Sequence, residues 1–233
     1  MSLKKTLQKQ SYDLIQGPVR NQDLLQIWKK KDLEKINILD PSISNVFDQE
    51  FTVKPFQNNA LSISSTDKEE FDFNVGIGFV KNALIQFEIA DFNLETHITG
   101  GKSVTVSYNN SFTKEISPFE IEKYLTKVNT DGLPPSTEKE LNRNNLFVIS
   151  GVVFAKNLNF TIDSDHAIDA DVEANLNKVG KGKINLKQTG NHQIVLNSNV
   201  DEDFPVAVKA FRMHFAKGIF KKLELVTDNR NLF

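Results

Sequence analysis

From His166 to Leu176 the chain alternates apolar and polar side chains: Ile168, Ala170, Val172, Ala174 and Leu176 on one parity, Asp169, Asp171, Glu173 and Asn175 on the other. In an extended chain successive side chains point to opposite faces, so this pattern predicts a strand with one dry and one wet face. Two settings accept such a strand. One is a half-buried sheet in a globular protein; the other is a membrane barrel whose strands meet lipid outside and water inside.

Similar runs come in pairs. Phe92, Leu94, Thr96 and Ile98 share a parity before Gly100-Gly101, and Val104, Val106, Tyr108 and Phe112 share one after it, which predicts a hairpin. Leu146, Val148, Val152, Phe154, Leu158, Phe160 and Ile162 share a parity over seventeen residues. Asp163 to Asp165 then turns the chain into the His166–Leu176 run. Gly180 to Lys183 leads to Ile184 and Leu186, and Gly190-Asn191 leads to Ile194 and Leu196. Phe204 to Phe215 reads as a further strand, and Leu61 to Phe73 as one or two strands around a polar turn at Ser65–Glu70.

Helical signals lie between these runs. Gln22 to Lys35 reads as a basic amphipathic helix, with Leu24, Leu25, Ile27, Trp28 and Leu33 among Lys29, Lys30, Lys31 and Lys35. Such a helix suits either a solvated surface or an anionic membrane surface. Val75 to Ile89 is the most apolar stretch, and its glycines leave helix and strand both open. Ser117-Pro118-Phe119-Glu120 has the form of a capping box with proline at the first helical position. Ile121, Tyr124, Leu125 and Val128 follow at helical spacing, and Thr137 with Glu140 predicts a second, shorter helix. Strands and helices fall in blocks rather than strict alternation, so the fold class is α+β.

Composition removes several functions. The 233 residues contain no cysteine, which excludes disulfides, thiolate metal sites and thiol catalysis. A net charge of −2 leaves no basic footprint, so no nucleic-acid partner is expected. Eighteen Phe against one Trp point to a core filled by strand-borne Phe. No run approaches the ~18 apolar residues of a membrane-crossing helix. The charged start of the chain (Lys4, Lys5, Lys9) lacks a signal-peptide pattern, so a cytoplasmic location is expected. Gly101-Lys102-Ser103 lacks the earlier glycine of a phosphate loop, Thr96 standing in its place. Asp163, Asp165, Asp169 and Asp171 lack the glycine of a calcium loop, and the four histidines share no metal-ligand spacing. No catalytic constellation, metal site or cofactor is expected.

From about Phe71 to Phe215 the order of elements resembles the gasdermin family, most closely its bacterial branch. The resemblance is carried by Phe73-Asn-Val-Gly-Ile-Gly-Phe79, Gly101-Lys-Ser-Val-Thr-Val-Ser-Tyr108 and Phe119-Glu-Ile-Glu-Lys-Tyr-Leu125. It continues in Leu146-Phe-Val-Ile-Ser150, Gly180-Lys-Gly-Lys-Ile184 and Phe204 to Phe215. It implies a twisted, mainly antiparallel central sheet with surrounding helices, monomeric and cytoplasmic at rest. On activation such a protein oligomerises into a large ring in the membrane, refolds two regions into membrane-crossing hairpins and kills the cell. Those regions would be about Gly76–Phe112 and Val152–Leu196, with Leu94, Val104, Val106, Ile168, Ala170, Val172, Ala174, Leu176, Ile184 and Leu186 facing lipid. Lys4, Lys5 and Lys9, with Lys29, Lys30 and Lys31, are the candidates for contact with anionic lipid.

The resemblance also implies a division into a pore-forming domain, 1–215, and a short tail, 216–233, that is inhibitory through Phe220, Leu223, Leu225 and Val226 until a protease or another trigger acts. This chain departs from the bacterial pattern in having no cysteine near its start to carry a lipid. Its short tail leaves a cleavage-independent route open, as in some fungal relatives. The alternative is an α+β lipid- or protein-binding module whose alternating strands stay folded on a core.

Overall fold

The computed structural model describes residues 3–15, 22–31, 35–59, 68–86, 89, 94–169, 171–180, 182–198 and 203–227. The chain forms α1 (Leu3–Gln8), β1 (Asp13–Leu14), β2 (Ile27–Lys31), β3 (Lys35–Asp40), α2 (Ile43–Phe47), β4 (Phe56–Asn59) and β5 (Glu69–Asp72). Then come α3 (Phe73–Gln86), a 3-10 turn (Leu94–His97), β6 (Gly101–Glu115), α4 (Pro118–Leu125) and α5 (Pro135–Asn142). The remainder is β7 (Leu146–Ser164), α6 (Val172–Gly180), β8 (Ile184–Gln188), β9 (Gln193–Ser198), β10 (Phe204–Ala216) and β11 (Ile219–Leu225).

The described strands join one 11-stranded sheet in which every pairing is antiparallel. The 19-residue β7 is its spine. One side of β7 pairs with β2 at Leu146–Val148 and with β6 from Gly151 onward. The other side pairs with β10 at Phe147–Ala155 and with β9 at Asn159–Asp163. This arrangement is the α+β fold with a mainly antiparallel central sheet that the sequence predicts.

The spine has two differently buried halves. Residues 146–155 are buried at every position. Leu146 and Val148 meet Ile27, Met213 and Phe215 beneath α2, α4 and α5, while Phe147 and Ile149 meet Trp28, Val208, Ala210 and Val226 on the opposite face. In residues 158–164 burial alternates. Leu158, Phe160 and Ile162 enter a third cluster with Val104 and Val106 of β6, and with Ile184, Leu186, Ile194 and Leu196 of β8 and β9. That cluster is covered by α1, α3 and α6.

Two bulges rotate the spine between these environments. Register steps fall at Ser150, opposite Lys209 and Ala210, and at Asn157, opposite Tyr108 and Asn109. Asn157 adopts φ 54°, a left-handed geometry that asparagine tolerates better than most residues. The run of shared parity from Leu146 to Ile162 is therefore one strand but not one face. Val152 and Phe154 belong to a different cluster from Leu158, Phe160 and Ile162.

Four sequence expectations are overturned. Among its described residues, Gln22 to Lys35 contains strand β2 and the first residue of β3, and no helix. Ile27 and Trp28 are both fully buried on opposite faces, so the segment lacks the alternation that marks a half-buried strand. Leu94–His97 is a 3-10 turn, not part of the first arm of a hairpin. Leu94 and Ile98 are buried while Thr96 is exposed. The His166–Leu176 run is also no strand: residues 166–169 are irregular and Val172 begins α6. Ile168, Val172 and Leu176 are buried at a spacing of four, and Ala174 faces solvent. Ala170 lies outside the described residues, as do Phe92 and residues 61–67. Glu69 and Glu70, read as part of a turn, begin β5.

Other expectations hold. Val75–Ile89, left open between helix and strand, holds most of α3, and Gly76 sits where any Cβ would collide with Val104 of β6. Helices α4 and α5 form where expected. Ser117 stands at the N-cap of α4 with Pro118 inside, but its hydroxyl makes no capping hydrogen bond.

Candidate functional site

Eight of the ten residues predicted to face lipid are brought together. Leu94, Val104, Val106, Ile168, Val172, Leu176, Ile184 and Leu186 all lie in the cluster under the second half of β7, each at most 5% exposed. Ala174 does not join them, and Ala170 lies outside the described residues. In this state the apolar faces are turned inward and covered by α1, α3 and α6.

The helix α3 docks through Ile77, Phe79, Val80, Ala83 and Leu84, with Phe79 stacked on Phe71 of β5 at 5.8 Å. Lys81 on α3 forms an ion pair with Glu95 of the 3-10 turn. Helix α6 docks through Val172 and Leu176 and also reaches the outer edge of β8. The Leu186 N–H donates to Asn177 Oδ1 at 2.9 Å, and Asn177 Nδ2 donates to the Leu186 carbonyl at 3.0 Å. One turn earlier, Glu173 Oε2 accepts from the Gln188 N–H at 3.0 Å. These two polar residues escaped the sequence reading, because their partners are backbone groups that no residue pattern marks.

The tail continues the sheet. Lys217 and Gly218 both have positive φ, 51° and 74°, the geometry of a tight two-residue hairpin turn, and β11 pairs with β10. Phe220 meets Phe215 edge-on at 5.5 Å, and the Leu223 N–H donates to Glu122 Oε1 of α4 at 3.2 Å. Leu225 is half-buried and pairs with Phe211, while Val226 is buried and donates its N–H to the Ala210 carbonyl at 3.1 Å. The Thr227 hydroxyl accepts from the Ala210 N–H at 3.2 Å and donates to the Ser11 carbonyl at 2.6 Å.

The basic candidates sit on two elements. Leu3 and Leu7 of α1 are fully buried, and Lys5 and Lys9 are exposed. Lys4 is half-exposed, and its backbone N–H donates to Glu69 Oε2 at 3.1 Å. Lys29 is paired with Glu140 at 3.3 Å, whose carboxyl is held below its ordinary range first by the Asn145 amide. Lys30 and Lys31 lie on β2 rather than on a helix, and their side chains lie outside the described residues.

A polar cluster unmarked in the sequence anchors the segment after α1. Tyr12 donates to Glu115, Lys209 Nζ lies 2.9 Å from the same carboxylate, and the lysine stands 4.5 Å above the Tyr12 ring. Burial and then the Glu115 hydrogen bond hold the Tyr12 phenol well above its usual pKa. Among the described residues no three potential metal ligands come together, and no helix is long and apolar enough to cross a membrane.

The sequence profile of the Bacterial Gasdermin Family matches residues 15–219. A curated relative, gasdermin bGSDM of Vitiosangium sp. (strain GDMCC 1.1324), is 20% identical over 163 residues, covering 68% of this chain and 60% of the relative. The chain thus matches about three-fifths of the length of that relative. A solved bacterial gasdermin from Bradyrhizobium tropiciagri superposes with TM-score 0.57 at 11% identity, covering 94% of this chain and 90% of that one. The Gasdermin A3 membrane pore, solved by cryo-EM, aligns over 90% of this chain and 86% of that one at 12% identity, with TM-score 0.37. The fold is that of a gasdermin, a class of non-enzymatic proteins known for pore formation. The chain belongs to the bacterial gasdermin family.

Proposed function

We propose that this protein rests closed in the cytoplasm and, once triggered, oligomerises in the membrane into a ring of β-hairpins that permeabilises and kills the cell, as in antiphage defence. The hairpins arise from the segments around α3–β6 and β7–β9. The partners are membrane lipid, further copies of the chain, and a trigger such as a protease. The observation that carries this reading is a mismatch at 168–176. The sequence alternates as a two-faced strand should, yet the segment is held partly as helix, with three of its apolar residues buried and Ala174 outside.

Ala174 gives the cleanest test. It is exposed and in the first turn of α6, where an aspartate is tolerated by the helix dipole, so Ala174→Asp leaves the resting fold intact. In a membrane strand the same side chain would sit with Val172 and Leu176 against lipid, where an acidic residue costs somewhat less than the about 2–4 kcal/mol per subunit of a basic one at mid-bilayer. Dye release from anionic liposomes should fall at least about tenfold. A folded Ala174→Asp variant that leaks like the parent would refute the lipid-facing register. Docking of the parent without dye release would favour the binding-module reading.

A further inference from the structure

We propose that Asn177 and Glu173 form a latch that holds α6 on the outer edge of β8, and that releasing it is what frees 168–176 to become a strand. The inference rests on the pore reading only for the purpose of that release.

An outer strand presents N–H and C=O groups that another strand can pair with, and proteins cover such edges deliberately. Here the cover consists of side chains. The Asn177 amide offers one acceptor and one donor to the two backbone groups of Leu186, the same pair of bonds that a neighbouring strand would supply. Glu173 lies one helical turn away on the same face and takes the next outward N–H, that of Gln188. Gln188 in turn reaches back with its side-chain amide to the Ile168 carbonyl at 3.5 Å, tying the strand to the start of the alternating segment.

The latch and the segment it restrains overlap in sequence. Glu173 lies within the alternating run, and Asn177 follows it directly. Gly180 and Gly182, the latter at φ 79°, then turn the chain into β8. If 168–176 became extended, it would lie beside β8 as the other arm of a hairpin, and its backbone would take the bonds now made by the two side chains. Both Leu186 groups and the Gln188 N–H are therefore satisfied in both states, by side chains in one and by main chain in the other. That continuity suits a segment that must change form without exposing those groups.

The test separates the latch from pore formation. Asn177→Leu removes both Leu186 bonds while raising intrinsic helix propensity, so a purely helical role for Asn177 would leave α6 at least as firm. The latch instead requires the Leu186 amide to exchange with solvent at least about fivefold faster, the factor expected from losing one ordinary hydrogen bond. Glu173→Ala should do the same at Gln188, and Glu173→Gln, which keeps an acceptor oxygen, should restore protection. Asn175→Leu, on the exposed face of the same helix, should change neither amide. Strand gain on anionic vesicles, followed by circular dichroism, should be at least about fivefold faster in Asn177→Leu than in the parent.

Unchanged protection at Leu186, faster exchange without faster strand gain, or absence of strand gain in both proteins would each overturn the latch. Faster strand gain without dye release would support the latch and count against the pore.

Discussion

The two halves of β7 are built from the same kinds of residue and differ in what covers them. Residues 146–155 are dry on both faces. Leu146 and Val148 lie under α2, α4 and α5, Phe147, Ile149, Val152 and Phe154 lie with Trp28, Val208 and Val226, and Val153 and Ala155 join the cluster of the second half. Residues 158–164 are dry on one face, where α1, α3 and α6 lie over them. The first half cannot change shape without opening two interfaces. The second can exchange one covering layer for another apolar medium. A protein that must both keep a frame and unfurl a surface can place the two tasks on one strand.

Removing part of the tail should produce the largest effect. Deleting residues 221–233 strips most of β11 from β10, together with the links through Val226 and Thr227. Burial of three or four apolar side chains there contributes several kcal/mol, at about 1.5–3 each. The truncated chain should permeabilise vesicles and be toxic on expression where the full chain is tolerated. If it is equally benign, the tail does not restrain the second half, and the trigger lies elsewhere.

Matched leucines test the comparison directly. Leu146, in the first half, and Leu176, in the helix that covers the second, are both fully buried. Truncation to alanine should cost about 3–5 kcal/mol at Leu146, where the walls cannot settle, and about 2–3 kcal/mol at Leu176, where α6 can move into the space. Urea unfolding of the two variants measures the difference, and equal or reversed values would erase the distinction between frame and cover.

Charge reversal of Lys4, Lys5 and Lys9 should weaken binding to anionic liposomes by about 1 kcal/mol per lysine at low salt, with little change in melting temperature. Unaltered sedimentation with vesicles would assign those lysines to the ordinary solvated surface.

Smaller effects separate two helix starts in the first half. The Ser42 hydroxyl accepts from the Ser44 N–H at 3.2 Å, whereas that of Ser117 makes no such bond. Ser42→Ala should therefore cost about 1 kcal/mol and Ser117→Ala only a few tenths. Thermal melts of the pair would expose a hidden capping bond if Ser117→Ala costs as much.

The smallest expected effect concerns acid. The Glu224 carboxyl is held below its ordinary value, first by the hydrogen bond with His214 and then by the charge of Arg212. A depressed carboxyl pKa contributes stability above the unfolded value, near 4.5, and loses it as pH falls through the folded value. The stability gap between the parent and Glu224→Gln should therefore narrow below about pH 4.5. A gap independent of pH would mean that the carboxylate contributes no titrating interaction.

Strands β6, β8, β9 and β10 were legible because each alternates or runs apolar beside a glycine or aspartate turn. The helical cover was misread for a single physical reason. Leu94 and Ile98, like Ile168, Val172 and Leu176, are four residues apart, a spacing that satisfies both a period of two and a period near 3.6. Context decides between them, through Glu95 paired with Lys81 and through Asn177 and Glu173 on the β8 edge. Trp28 misled in the opposite way, since a strand buried on both faces has no polar parity to read. The candidate lipid-facing set could be assembled from sequence. That eight of its members would share one buried cluster could not, because contact across the sheet depends on register.

The hydrogen bond from Thr227 to Ser11 spans 216 positions of chain. During synthesis residue 11 appears first and has to wait until β10 and then β11 have been made. Until then the outer side of β10 has neither its hairpin partner nor the threonine that ties it to residue 11. An unfinished chain therefore carries an open sheet border, the kind of surface that promiscuous pairing exploits. While β10 waits for β11 that border stays open, and prompt closure by β11 shortens the exposure.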